Sequence, residues 1–214
     1  MSIDYLKQGK IALLTINRPE VLNALSLDAL IELSDRLVDF SNDPQLRVGI
    51  ITGVGEKSFC TGMDLKSTVG LPLESLFGEG TFVRGLEISK PLIAAINGYA
   101  FGGGLEIALV CDIRIASQNA SFGLTEVTLG LIPGWGGTQR LPRLLPFGKA
   151  IELVMMGKRI DSDEAYRLNL ISKIVPLKDL IDSAMEWATR IAELDPLSVQ
   201  SAKNDLIKGS KKVF

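Results

Sequence analysis

The spacing of apolar residues changes period in a regular way along this chain. Lys10 to Asn17 is mostly apolar and stops at Asn17-Arg18-Pro19, which predicts a strand ended by a turn. Ser26 to Phe40 carries Leu27, Leu30, Ile31, Leu33, Leu37 and Val38 at helical spacing, with Ser26 placed to cap the first turn. Val48 to Thr52 is short and continuously apolar, the pattern of a buried strand, and ends at Gly53. Leu71 to Ser89 begins as a Gly- and Pro-containing loop, and Thr81 to Ile88 reads as a short helix. Leu92 to Ile96 is another apolar strand, broken by Asn97-Gly98, and a helix opens near Gly103 after three consecutive glycines. Ile113 to Ala116 and Ala120 to Phe122 follow as extended pieces, with a turn at Gly123. Pro142 to Met156 is predicted as one helix ending at Gly157. Asp161-Ser162-Asp163-Glu164 looks like a capping box, opening a helix that stops at Asn169. Ser172 to Val175 is a short strand, and Leu177 to Leu194 and Pro196 to Lys208 are amphipathic helices. Strand and helix alternate through the first two-thirds and helices dominate the end, so the predicted class is α/β with a helical tail.

Composition narrows the function more than the fold. The 214 residues suit one domain. Lys plus Arg total 23 against 25 for Asp plus Glu, a balance that leaves no electrostatic footprint for nucleic acid or an anionic membrane. No apolar run approaches a membrane span, and MSIDYLKQGK has no signal-peptide apolar region, so a cytoplasmic protein is expected. The two cysteines, Cys60 and Cys111, form neither a disulfide framework nor a C-x-x-C pair. Histidine is absent, which removes imidazole acid–base chemistry and most zinc sites. Proton transfer therefore falls to carboxylates, Lys, Tyr or Cys.

Three stretches carry candidate chemistry. Gly102-Gly103-Gly104 opens a helix whose first N–H groups are free, and Glu106 lies one turn in on an otherwise apolar surface. A dinucleotide turn does not fit this spacing, since Ala100 stands where that fingerprint needs glycine. Lys57 to Lys66, KSFCTGMDLK, is a glycine turn after a strand. Ser121 to Glu126, SFGLTE, puts a carboxylate just past another. Taken singly, each has a plain structural reading: helix packing, a surface loop, and a helix-start acid favoured by the dipole. Cys60, with no histidine to activate it, reads as an inert apolar residue. Trp135, in Gly134-Trp135-Gly136-Gly137, reads as packing or a lid.

Together, Ile96 to Glu106, the 57–66 turn and the 121–126 turn resemble, in order, the signature segments of the enoyl-CoA hydratase/isomerase (crotonase) family. Asn17-Arg18-Pro19, Leu22-Asn23-Ala24-Leu25 and Gly130 to Gly134 with Gly136 to Leu141 extend the resemblance to about residues 10–200. The resemblance implies a crotonase-like spiral of ββα units with a helical C-terminal region, divided into a core over residues 1–195 and a tail over 196–214. It implies an acyl-CoA thioester as substrate, its carbonyl oxygen held between the N–H groups of Met63 and Gly103, with Glu106 and Glu126 as acid and base. Ala24, Cys60, Gly62, Asp64, Leu65 and Lys66 are the positions implied to line the CoA path, and Lys57 and Lys66 can meet phosphates. No cofactor beyond the CoA of the substrate is implied, no metal, and a homotrimer or dimer of trimers is. Both acidic positions are filled, so the resemblance points to hydration of a trans-2-enoyl-CoA. A Δ3,Δ2-enoyl-CoA isomerase or another dehydratase of the same fold is the alternative, and a non-catalytic CoA-ester or protein-binding relative is the reading from another class. Family members usually run some tens of residues further than Phe214. Leu71 to Gly85 is expected to help form the acyl wall.

Overall fold

A computed structural model describes residues 1–70, 72 and 79–211. Among these residues, a larger sheet runs in the order β1 (Ile3–Gln8), β2 (Ile11–Ile16), β3 (Val48–Gly53), β7 (Leu92–Ile96), β9 (Ile113–Ser117) and β12 (Lys173–Val175). Only β1 and β2 pair antiparallel; β2, β3, β7, β9 and β12 are parallel neighbours. A smaller sheet has the order β11 (Ile160–Asp161), β10 (Ser121–Gly123), β8 (Tyr99–Phe101) and β4 (Ser58–Cys60). Its β4, β8 and β10 are parallel.

This topology is a repeat. Three times the chain runs up a strand of the larger sheet, bends, and enters a strand of the smaller one: β3 to β4, β7 to β8, β9 to β10. Thr61, Gly102 and Leu124, which follow β4, β8 and β10, therefore lie at the same edge, where three parallel strands end together. Such an edge is where parallel α/β folds place ligands.

Burial explains the strand patterns. All six residues of β3 and all five of β7 are buried, because both faces of the central strands are covered, so they read as continuous apolar runs. One face packs on α1 (Leu27–Asn42) and α2 (Gly103–Val110) through Leu30, Leu33, Leu37, Ile51, Ile96 and Ile107. The other receives α6 (Leu180–Ala192), where Ala184, Ala188 and Ala192 lie against Ile50, Ile93 and Ile115. Lys90 donates to the Phe40 and Asp43 carbonyls near the end of α1, and Lys203 of α7 (Pro196–Lys211) reaches the Lys90 carbonyl and Asp112. No helix of the described residues is long and apolar enough to cross a membrane.

Several sequence expectations are corrected. The polar N-terminus forms β1, whose outer half faces solvent and so lacks an apolar signal. Thr81 to Ile88 is not helical: Glu79–Thr81 (β5) and Arg84–Gly85 (β6) pair in a tight extended bend. The single helix expected from Pro142 to Met156 is two, α3 (Gly137–Leu144) and α4 (Phe147–Met155). Pro146 causes the break, since it forces Leu145 into an extended conformation, φ −109° and ψ 155°. The cap at Asp161 is as read, its side chain accepting from the Glu164 N–H, for the short helix α5 (Ser162–Arg167); Asn169 is left-handed at φ 59°. The first part of the expected acyl-wall segment, at positions 71 and 73–78, lies outside the described residues.

Candidate active site

The site is assembled from the three strand ends. After β4, Gly62 and Met63 run beside Leu25: the Leu25 N–H donates to the Gly62 carbonyl, and the Asp64 N–H to the Leu25 carbonyl, each at 2.8 Å. A parallel bridge of this kind uses the peptide groups on either side of Met63 and turns the Met63 N–H away from Leu25. Among the described residues that N–H has no acceptor, and neither has the N–H of Gly103 at the start of α2. The two segments touch: a Cβ built on Gly62 would lie 2.8 Å from the Gly103 nitrogen. Two unfilled main-chain donors thus stand side by side at a helix N-terminus, where the backbone also favours negative charge.

The turn is braced by polar side chains. Arg18 makes an ion pair with Asp64 at 3.1 Å and donates to the Ala24 carbonyl. The Asn23 amide reaches the Val54 and Ser58 carbonyls, and the Asn97 amide the Gly55 and Ser58 carbonyls.

Glu106 is 1% exposed on α2. Its Oε1 accepts from the Trp135 N–H at 2.8 Å and the Gly137 N–H at 2.6 Å. Burial raises its pKa to about 7; the two amide donors oppose that rise, Glu126 adds to it, and the Arg140 guanidinium counters it. Glu126, in the 3₁₀ turn after β10, has both carboxylate oxygens buried without a hydrogen-bond partner, and burial pushes its pKa up too. Its Oε1 would lie 3.3 Å from a Cβ on Gly102, a residue at φ 53°, ψ −128°. That conformation suits glycine alone, and a side chain there would also meet the carboxylate.

Met63, Gly103, Glu106 and Glu126 line one cavity of about 380 Å³. Its other walls are chiefly apolar, with Leu65, Leu129, Leu131, Ile132 and Trp135 among them. The Trp135 ring lies against Gly103, within 2.6 Å of where a Cβ would stand. Chemically, this arrangement can hold an oxygen that gains negative charge between two amides while two carboxyl groups of raised pKa exchange protons near it.

The structure does not bring all the expected CoA-path residues to that cavity. Leu65 lines it. Gly62 contributes backbone, Asp64 is engaged by Arg18, and Ala24 offers a carbonyl that Arg18 holds. Lys57 and Lys66 are exposed. The Cys60 side chain is fully buried, burial raises the thiol to about 12, and its sulfur accepts from the Gly62 N–H. Sequence reasoning missed the Trp135 and Gly137 N–H groups that hold Glu106. The only trace in the sequence is the glycine: a Cβ at Gly137 would come within 3.0 Å of Glu106.

The paired sheets, the ββα repetition and the strand-end cavity are those of the crotonase class of α/β proteins. Enoyl-CoA hydratase from Bacillus anthracis superimposes with a TM-score of 0.93 at 40% identity, over 100% of this chain and 85% of that one. A model of the enoyl-CoA hydratase/isomerase family matches residues 7–213, and the chain belongs to that family. Short-chain-enoyl-CoA hydratase of Clostridium acetobutylicum is 44% identical over 208 residues, covering 95% of this chain and 80% of the relative. (E)-Benzylidenesuccinyl-CoA hydratase of Thauera aromatica is also 44% identical, over 206 residues, 93% of this chain and 79% of its own length.

Proposed function

We propose that the protein is an enoyl-CoA hydratase that adds water reversibly to a trans-2-enoyl-CoA, giving a 3-hydroxyacyl-CoA. The observation that carries this reading is two differently held carboxyl groups in one cavity with two unfilled amides. The thioester oxygen sits between the Met63 and Gly103 N–H groups, which stabilise the enolate as charge moves onto it. Glu106, fixed by two amide donors that favour its anion, holds the water and takes its proton as the oxygen bonds to C3. Glu126 makes no hydrogen bond to another residue, and burial, opposed only by its own main-chain N–H, pushes it towards the acid form; it delivers the proton to C2. Dehydration runs the same steps in reverse. The names of the relatives support hydration over isomerisation, which needs only a proton moved between carbons of one substrate. Active assembly as a homotrimer or dimer of trimers and a cytoplasmic site of action are part of the proposal.

The test is loss of crotonyl-CoA absorbance on hydration, with Glu106→Gln and Glu126→Gln beside the wild type. Each substitution should lower kcat by about 10²–10⁴-fold, as expected on removing a positioned acid or base. Wild-type rates in both variants overturn the mechanism. Double-bond migration in place of hydration by the wild type overturns the reaction.

A further inference from the structure

Glu106 does not choose its own direction. Its Oε1 is aimed by two N–H groups from a three-residue loop, Trp135 to Gly137. That loop is itself held by Arg140, one turn into α3. The Arg140 guanidinium donates to the Trp135 carbonyl at 2.6 Å and to the Val83 carbonyl at 2.8 Å. Its main-chain N–H donates to the Gly136 carbonyl at 2.9 Å. Gly136 stands at φ 94°, and the guanidinium folds back so closely that a Cβ there would lie 2.4 Å from Nη1. One side chain therefore fastens both the loop that holds Glu106 and the extended bend at 81–85, which neighbours it.

The charged groups that face Glu106 are few. Glu126 comes from the turn after β10 and Arg140 from α3. Cys111, just past the end of the helix that carries Glu106 and close to Arg140, is a buried thiol raised to about 12 and hence neutral. Arg143 also acts on Arg140 but makes its own bond to the Gln139 carbonyl. Among the described residues, Arg140 is thus a cation that acts on Glu106 while making no ion pair with it.

We propose that Arg140 is a positioning residue for Glu106: its guanidinium, held between the Trp135 and Val83 carbonyls, fixes the loop whose amides point the carboxylate at the reacting water. The proposal rests on the hydratase reading for its kinetic consequence, though not for its structural one. Arg140→Gln loses the charge and the two-carbonyl grip. Arg140→Lys keeps the charge but cannot span two carbonyls in one plane. A carboxylate displaced by a fraction of an ångström to one ångström costs roughly 10- to 100-fold in rate.

The experiment has two arms. In the first, Arg140→Gln lowers kcat by about 10- to 100-fold with KM little changed, and Arg140→Lys falls between it and the wild type. In the Glu106→Gln background Arg140→Gln causes almost no further loss, because the two residues act as a unit. An equal fractional loss in both backgrounds overturns the proposal. In the second arm, the pH titration of the 13C-labelled glutamate carboxyls is followed by NMR without substrate. The Glu106 midpoint, about 7 in the wild type, rises in Arg140→Gln and stays near the wild-type value in Arg140→Lys. A midpoint that does not move in Arg140→Gln overturns the proposal. If the wild type fails to hydrate crotonyl-CoA, the hydratase reading falls, and the titration still decides the role of Arg140. Should Arg140→Gln fail to fold, the Lys variant carries the kinetic arm: full wild-type kcat in it overturns the positioning role.

Discussion

Replacing Glu106 with Gln should make the protein less active and more stable, and the size of the second effect follows from where the carboxyl sits. Gln keeps the shape and one oxygen to accept from the Trp135 and Gly137 amides, so the loop is retained. What it removes is a buried charge. The Glu106 pKa is about 7 when folded against an ordinary 4.5, and each unit is worth about 1.4 kcal/mol. A carboxyl whose folded pKa is raised favours folding in its protonated form. Its contribution is complete below about pH 4.5 and drains away as pH rises through about 7. Between pH 5 and 8 the wild type should therefore lose about 2–3 kcal/mol that the Gln variant keeps. For a chain of this length, that is a gap of roughly 5–10 °C in Tm at pH 8. The assay is urea unfolding of both proteins at pH 5, 6, 7 and 8, taking the difference between them at each pH so that all other titrating groups cancel. A difference that stays flat within about 0.5 kcal/mol, the scale of ordinary surface substitutions, refutes the reasoning. It would mean that Glu106 reaches solvent or a compensating charge more readily than its 1% exposure implies.

Two further predictions concern the turn that carries the amides. Gly104→Ala places a Cβ 1.9 Å from the Cys60 carbonyl oxygen, a main-chain atom that cannot swing aside; calorimetry should show a loss of about 3 kcal/mol or more, or no folded protein, and wild-type stability would show that the strand and helix are not in that contact. Asp64→Ala leaves the half-buried Arg18 without its ion-pair partner and should cost about 1–2 kcal/mol, whereas changing both to apolar residues of similar size should cost less; equal losses in the single and double variants would place the energy elsewhere.

How much was legible in the sequence depended on whether a residue's task is local. β3 and β7 were readable because a strand covered on both faces must be largely apolar along its whole length. The Ser26 and Asp161 caps were readable because each acts within three residues of itself. Glu106 stood out because a carboxylate on an otherwise apolar helix is costly and invites an explanation; Glu126 was marked only by the family resemblance. The failures have the opposite character. β1 owes its existence to pairing with β2, not to its own residues. The α3–α4 boundary turned on one proline inside a pattern that continued across it.

By itself, the order of residues settled which pieces would be buried strands, where helices would begin, and which glycines let backbone approach backbone. Tertiary structure alone decided that three separate strands end at one sheet edge, since parallel pairing of β4, β8 and β10 joins residues some twenty to forty positions apart. It also decided the chemical character of the two glutamates. A carboxyl group's pKa is set by the water it loses and the donors it meets, and the donors to Glu106 come from residues 135 and 137, about thirty positions downstream, brought there by packing that no local pattern encodes.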